Sequence, residues 1–458
     1  MIKKFLSLSL LVAMIFTSCC NNAPQGAHPD WTYDAVVYEM NVRQYTPEGT
    51  FAAAAEHLPR LQELGVDIVW LMPIYPIGVK ERKGTLGSYY AISDYCATNP
   101  EFGTLEDFDA FVAQAHKLGL KVIIDWVANH TSPDALWIEG KPADWYVRDE
   151  QGNTIVQYDW TDIAKLNYDN HDMRAEMEKS MRFWMERGID GFRCDMACEM
   201  PFDFWKSVIP SIRKDYPQMY WLAEGEHTEL HNGSFDASYA WELHHLLNSI
   251  ARGEKGVAEL KEYIAKDAEA HPAEAFRLMF TSNHDENSWA GTEFERMGDA
   301  VKVMAMLTFT LPNGQPLIYT GQEMGWNKRF EFFEKDHIPA WECNEYAAFY
   351  KELTALRHNN PALAAGERGG KIEQFLFQLF ADVIRARERI DTGGVFFDFV
   401  GILAQLLLNH LDLLTQEEIA LLFINALVNT ATNIHFATDN IRFARKKRAK
   451  LIKTVDGI

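Results

Sequence analysis

The last part of this 458-residue chain is marked by absence: from Ile372 to Ile458 there is no Trp, Tyr, Pro, Met or Cys. All 13 Trp and 17 Tyr lie before it. The segment holds 10 basic and 10 acidic residues, so the net charge of −21 belongs wholly to the earlier part. Alternating polar and apolar runs of the β-sandwich kind are also missing. Its apolar residues recur instead at helical spacing over Phe375–Arg389, Phe396–Leu414 and Gln416–Thr430, followed by a basic run Arg442–Lys453. An all-α segment is expected over 372–458, either a helical unit in its own right or foreign sequence joined by fusion or rearrangement.

Cysteine is scarce as well. Of the six, two are adjacent at 19 and 20, and four scattered thiols make no disulfide framework, so none is expected. Basic residues are outnumbered, 44 Lys and Arg against 65 Asp and Glu, which argues against nucleic acid or an anionic membrane surface as partner. A neutral substrate fits that charge better. The plentiful aromatic rings suit sugar stacking, although core packing is the commoner use of any single ring.

At the N-terminus Lys3 and Lys4 precede an apolar stretch, Phe5 to Phe16, that is too short to span a membrane. Small residues Thr17 and Ser18 then lead into Cys19. The pattern resembles a bacterial lipoprotein signal, in which Cys19 is acylated and becomes the mature N-terminus. Residues 1–19 are expected to be the signal and 20–30 a tether, which implies export to the bacterial cell envelope and a lipid anchor at the periplasmic or outer-membrane surface. Plain secretion without lipid is the alternative.

From Asp34 onward short apolar runs alternate with amphipathic stretches, the mark of a parallel sheet with crossover helices. Strands are expected at Val36–Tyr38, Ile68–Leu71, Lys121–Asp125, Gly191–Asp195, Tyr220–Glu224, Ala237–Tyr239, Leu278–Ser282 and Leu317–Tyr319. Helices are expected at Ala53–Leu64, Leu105–Leu118, Met173–Glu186, Phe202–Lys214 and Gly298–Phe309, among others. Eight strands point to an α/β fold closed as a (β/α)8 TIM barrel over 31–371. One crossover is too long: 131–170, after the third strand, has no helical periodicity and reads as a small inserted subdomain over the barrel mouth.

Barrel enzymes place their chemistry at the C-terminal ends of the strands. Those ends carry Asp125, Asp195, Glu224 and Asp285, with Asn129, His130, Arg193 and His284 beside them. One carboxylate after a strand is usually a helix cap. Several on successive strands, flanked by Arg and His, match the two-carboxylate requirement of glycoside hydrolysis. Arg193, two residues before Asp195 on one strand face, is expected to keep Asp195 ionised, and the apolar run before Glu224 to favour its protonated form. Glu226, two residues on, is the rival acid.

The stretches Asp125-Trp-Val-Ala-Asn129-His130, Gly191-Phe-Arg193-Cys-Asp195, Leu222-Ala-Glu224 and Ser282-Asn-His284-Asp285 resemble, in order, the four signatures of glycoside hydrolase family thirteen, the α-amylase family. The resemblance covers about Trp31 to Gly370. It implies Asp195 as nucleophile, Glu224 as general acid/base and Asp285 as transition-state stabiliser. It further implies that Tyr90, Asp125, His130, Arg193 and His284 serve the substrate site, with Arg193 orienting the nucleophile and Tyr90 stacking beneath the sugar. The expected activity is retaining hydrolysis of α-1,4-glucosidic bonds in starch-like glucans or maltooligosaccharides. The alternatives are a cyclomaltodextrinase, neopullulanase, α-glucosidase or transglycosylase of the same family, or a glucan-binding protein with impaired catalysis.

The chain departs from the family pattern in three ways. No cofactor is needed for the chemistry, but many members hold a structural calcium. Here only Asn129 matches a ligand position, Lys165 and Glu199 standing at the others. Cys198 replaces a lysine beyond the nucleophile. The β-sandwich that usually follows the barrel is not legible after Gly370.

Overall fold

The strands are short runs of β-branched and aromatic residues: Val37–Met40 (β1), Ile68–Leu71 (β2), Lys121–Trp126 (β3), His130–Thr131 (β4), Ala164–Lys165 (β5), Gly191–Cys194 (β6), Tyr220–Ala223 (β7), Ala237–Tyr239 (β8), Phe276–Met279 (β9) and Gly314–Tyr319 (β10). In the computed structural model, which describes residues 27–370, eight of them close a parallel barrel in the order β1-β10-β9-β8-β7-β6-β3-β2. Both faces of these strands are covered, which is why they read as continuous apolar runs rather than alternating ones. Val37, Ile68, Trp70, Ile123 and Leu222 fill the barrel interior. Their neighbours Tyr38, Val69, Val122 and Trp221 face the outer helices. At Gly191 a Cβ would stand 2.3 Å from the Tyr220 carbonyl oxygen, so β6 and β7 approach closely only because the residue is glycine.

Between β3 and the helix His171–Met185 the chain builds the expected insertion. There β4 and β5 pair antiparallel, His130 opposite Lys165. Thr131 Oγ1 meets the Tyr146 hydroxyl at 2.9 Å, and the Tyr168 hydroxyl donates to the Ala128 carbonyl at 2.7 Å. These buried bonds fix the small sheet on the barrel rim and carry His130 over it.

Several element boundaries differ from expectation, β10 beginning at Gly314 rather than Leu317, and two of the differences have a clear cause in the side chains. The seventh barrel strand is Phe276–Met279, not Leu278–Ser282. Apolar character runs past its end because Phe280 packs on Tyr239, Trp241 and His244 at the rim, and Arg277 reads as polar although it is buried in the strand. The stretch Ala53–Leu64 is two helices, Phe51–Ala55 and Leu58–Leu64, rather than one. Pro59 has no N–H and its ring would strike the carbonyl a turn earlier. Among the described residues the four cysteines 96, 194, 198 and 343 are free. The expected signal, Cys19, the tether up to Gly26 and the helical segment 372–458 lie outside the described residues.

Candidate active site

The C-terminal ends of β3, β6, β7 and β9 bring one set of charged side chains together. Arg193, on β6, is fully buried between Trp70 and Tyr239, whose hydroxyl accepts from its Nε at 3.1 Å. Its Nη1 donates to Asp125 Oδ1 at 2.9 Å and to Asp195 Oδ1 at 3.1 Å. Its Nη2 lies 2.9 Å from Glu224 Oε1, an ion pair whose angle is not that of a hydrogen bond. One guanidinium therefore serves three carboxylates. Arg193 favours the ionised form of Asp195, as expected, but it is not the largest influence on it. Burial, then Glu224, pushes the Asp195 carboxyl well above its ordinary range, and Arg193 opposes them only in part.

His284 forms a second hub. Its Nδ1 meets Glu39 Oε1 at 2.5 Å, and its Nε2 meets the Tyr90 hydroxyl at 2.8 Å and Asp285 Oδ2 at 3.4 Å. Burial works against its charge, but Asp285 and Glu39 more than offset that and lift it to about 9. The Tyr90 hydroxyl also donates to Asp125 Oδ2 at 3.1 Å, joining the two hubs. Burial, opposed by Arg193 and His284, raises Asp125 to about 6. Asp285 is raised too, first by burial, although with 41 % of its side chain exposed to the cavity the push is milder than on Asp195. Five carboxylates, Glu39 included, thus face two cations. Asp125, Asp195 and Asp285 lie close enough that their protonation is linked, so these three do not titrate singly.

Asp195 and Glu224 are placed by the backbone. Asp195 stands one residue beyond β6, its N–H donating to the Trp126 carbonyl at 2.9 Å. Met196 then takes a left-handed conformation, φ 47°, costly for a residue with a side chain. That turn points the Met196 N–H at Glu224 Oε2, 2.7 Å away, and the Ala197 N–H at the Glu224 carbonyl. Glu226, the rival acid, is tied elsewhere: Oε1 takes Arg277 at 2.9 Å and Oε2 takes the Glu242 N–H at 3.0 Å.

These groups border a cavity of about 700 Å³ that Asp195, Glu224, Asp285, Tyr90, His130 and His284 line. Asp125 and Arg193 do not reach it. Both are fully buried and paired with one another, and Arg193 is also paired with Asp195. His130 Nε2 is buried without a partner at the cavity edge. Burial lowers that ring to about 4, leaving it neutral and able to meet a hydroxyl. Sequence reasoning missed Glu39, whose only signal was a carboxylate inside an apolar strand. It also missed Tyr239, at the end of β8, Trp289, in the helical turn after β9, and Phe332, on the loop after β10, which share no sequence pattern.

The calcium pattern does not fit these residues. Asn129 Nδ2 donates to Gln157 Oε1 at 2.9 Å, and Gln157 Nε2 donates to Glu199 Oε2 at 2.9 Å. Lys165 brings an ammonium into the same strand pair, where calcium wants oxygens. Among the described residues no group of three or more His, Cys, Asp or Glu could hold a metal. A hydrogen-bonded chain Asn129–Gln157–Glu199 spans from the insertion to the loop after β6 in its place.

A parallel barrel with paired carboxylates around a buried guanidinium, opening into a cleft at the strand ends, defines the class as a glycosidase barrel. Residues 21–154 and 139–352 match the family described as alpha amylase, catalytic domain. The chain belongs to that family. It is 30% identical over 350 residues to the α-amylase MalA of Haloarcula japonica, covering 74% of this chain and 50% of that protein. It is 28% identical to an α-1,4-glucan:maltose-1-phosphate maltosyltransferase of Salinibacter ruber, covering 71% and 53%. The chain thus spans about half the length of these curated relatives. Among solved structures, an α-amylase of Lactobacillus plantarum superposes with a TM-score of 0.69 at 31% identity, covering 75% of this chain and 83% of that one. A maltogenic α-amylase of Thermotoga neapolitana gives 0.67 at 30%, covering 72% and 78%.

Proposed function

We propose that this protein hydrolyses α-1,4-glucosidic bonds of starch-like glucans or maltooligosaccharides with retention of configuration. The observation that carries the reading is that Asp195 and Glu224 sit on the two terminal nitrogens of one guanidinium. Both carboxyls that the two-carboxylate mechanism needs are thereby fixed at the cavity, and membership of the α-amylase family favours direct attack and a covalent intermediate. Asp195 Oδ attacks the anomeric carbon while Glu224 gives its proton to the leaving oxygen. Water, deprotonated by Glu224, then releases the sugar and restores Asp195. Asp285 and His284 hold sugar hydroxyls as positive charge grows at the anomeric carbon, and Tyr90 stacks beneath the ring. Asp125 and Arg193 keep the carboxylates in place. Nuclear magnetic resonance of the first-formed product tests the stereochemistry: the α-anomer is expected, and the β-anomer overturns the mechanism.

Transfer of the sugar to another sugar is the second reading, because a relative is named as a maltosyltransferase and the same intermediate serves both outcomes. Product analysis at high maltotriose concentration separates them: longer oligosaccharides mark transfer. We further propose export and acylation at Cys19, from the basic, apolar and small-residue run before it. Labelled palmitate should enter the wild-type chain expressed in a bacterium and not a C19A/C20A variant.

A further inference from the structure

The loop after β2, residues 78–87, is stitched to other rim segments at both ends. At one end the Val79 and Lys80 N–H groups donate to Asp134 Oδ2 of the insertion, at 2.8 and 3.0 Å. At the other, the Leu86 N–H donates to the Phe333 carbonyl at 3.0 Å and the Thr85 N–H to Glu334 Oε1 at 2.9 Å, both on the loop after β10. Gly84 sits so close to that loop that a Cβ would meet the Phe333 Cβ at 2.5 Å. Arg82 ties the loop to itself, donating to the Gly78 and Ile77 carbonyls at 2.8 and 2.9 Å. Between these anchors Lys83 reaches Asp162 of the insertion at 3.3 Å, and both residues line the cavity. Insertion, β2 loop and β10 loop therefore form one continuous wall.

The side of the cleft on which this wall stands follows from the barrel order. Glu224 lies just beyond β7, and the acid must be on the leaving-group side. Opposite β7 in the closed order are β1 and its neighbours β2 and β10, so the walled side is that of the retained sugar. Phe332, Phe333 and Trp289, the last 57 % exposed, give the wall aromatic faces toward the cavity.

We propose that this wall, held at mid-span by Lys83–Asp162, closes the retained-sugar end of the cleft, so that the protein acts at the non-reducing ends of glucan chains and on short maltooligosaccharides. On this proposal the rest of the glucan chain leaves past Met196 and Gly225, which line the cavity beside Glu224. The proposal deepens the hydrolase reading and rests on it. The test uses 4-nitrophenyl maltoheptaoside with a free or a 4,6-ethylidene-blocked non-reducing end, products followed by chromatography. The full chain is expected to cut the blocked form at least about tenfold more slowly, the size of one well-defined pocket clash. In Lys83→Ala and, separately, Asp162→Asn, that ratio should shrink while cleavage of the free substrate persists. Equal wild-type rates on the two substrates, or an unchanged ratio in both variants, overturn the wall. Cleavage of neither substrate by the wild type overturns the hydrolase reading instead.

Discussion

Two buried arginines sit on barrel strands, Arg193 on β6 and Arg277 on β9, and they do opposite things. Arg277 donates to Asp267 at 3.0 Å and to Glu226 at 2.9 Å, and also to the Ser238 hydroxyl. Asp267 is further paired with His271, and despite burial, His271 and Arg277 hold its carboxyl below the usual range. Acids and bases there are equal in number, although burial raises Glu226, and none of them borders the cavity. Around Arg193 acids outnumber bases, Asp195 and Asp285 are raised rather than lowered, and one side is open to the cavity. A buried ion pair alone therefore says little about function. An excess of one charge, held in place beside an opening, says much more.

The comparison is broken or sharpened first at Glu224 and Glu226. Glu224→Gln should lower kcat by about 10²–10⁴-fold, the range for a lost general acid. Glu226→Gln should leave kcat nearly intact. Equal losses on 4-nitrophenyl maltooligosaccharide would merge the two networks. Asp195→Asn belongs to the same test: it should lose at least about 10⁴-fold, as nucleophiles do, while Tm holds or rises because one carboxylate leaves a crowded group.

Next in size is Arg277→Met, which strands Asp267 in the interior and should cost about 3–5 kcal/mol in urea unfolding. A variant as stable as the wild type would show that the β9 network is not a structural pair.

The third prediction concerns pH. His284 is raised from 6.5 to about 9, so it binds its proton more tightly folded than unfolded. Its contribution is fully present below pH 6.5 and is lost as pH rises through about 9, at most about 3 kcal/mol by linkage. Tm should fall across that window, and His284→Asn should flatten the fall. An unchanged slope in the variant would remove His284 as its cause. The smallest effect is expected from a chelator. With Gln157 bridging Asn129 and Glu199, Tm and activity should be indifferent to EDTA. A drop in Tm that added calcium restores would overturn this.

Much of the site was legible in the chain because its parts sit at strand ends, where spacing is short and neighbours are fixed. Arg193 and Asp195 share one strand face, and His284 and Asp285 adjoin. Glu39 was not legible, since its partner His284 lies 245 residues away and only barrel closure joins them. The β9 register was misjudged because Phe280 is apolar for reasons of rim packing rather than of strand pairing. The opening at Pro59 was missed although proline forbids a continuous helix there, since its amphipathic pattern runs straight through.

By itself the sequence determined the eight strands, the inserted subdomain and the carboxylates at the rim. Apolar runs, crossover lengths and residue order are local quantities that need no partner to be read. Tertiary structure alone decided how charge is shared. Whether Arg193 serves one carboxylate or three, whether Glu226 joins the site, and whether the β2 loop walls one end of the cleft all depend on distances between residues far apart in the chain. Those distances exist only once the barrel has closed and water has left its interior, because only there do the charges have no solvent to answer them.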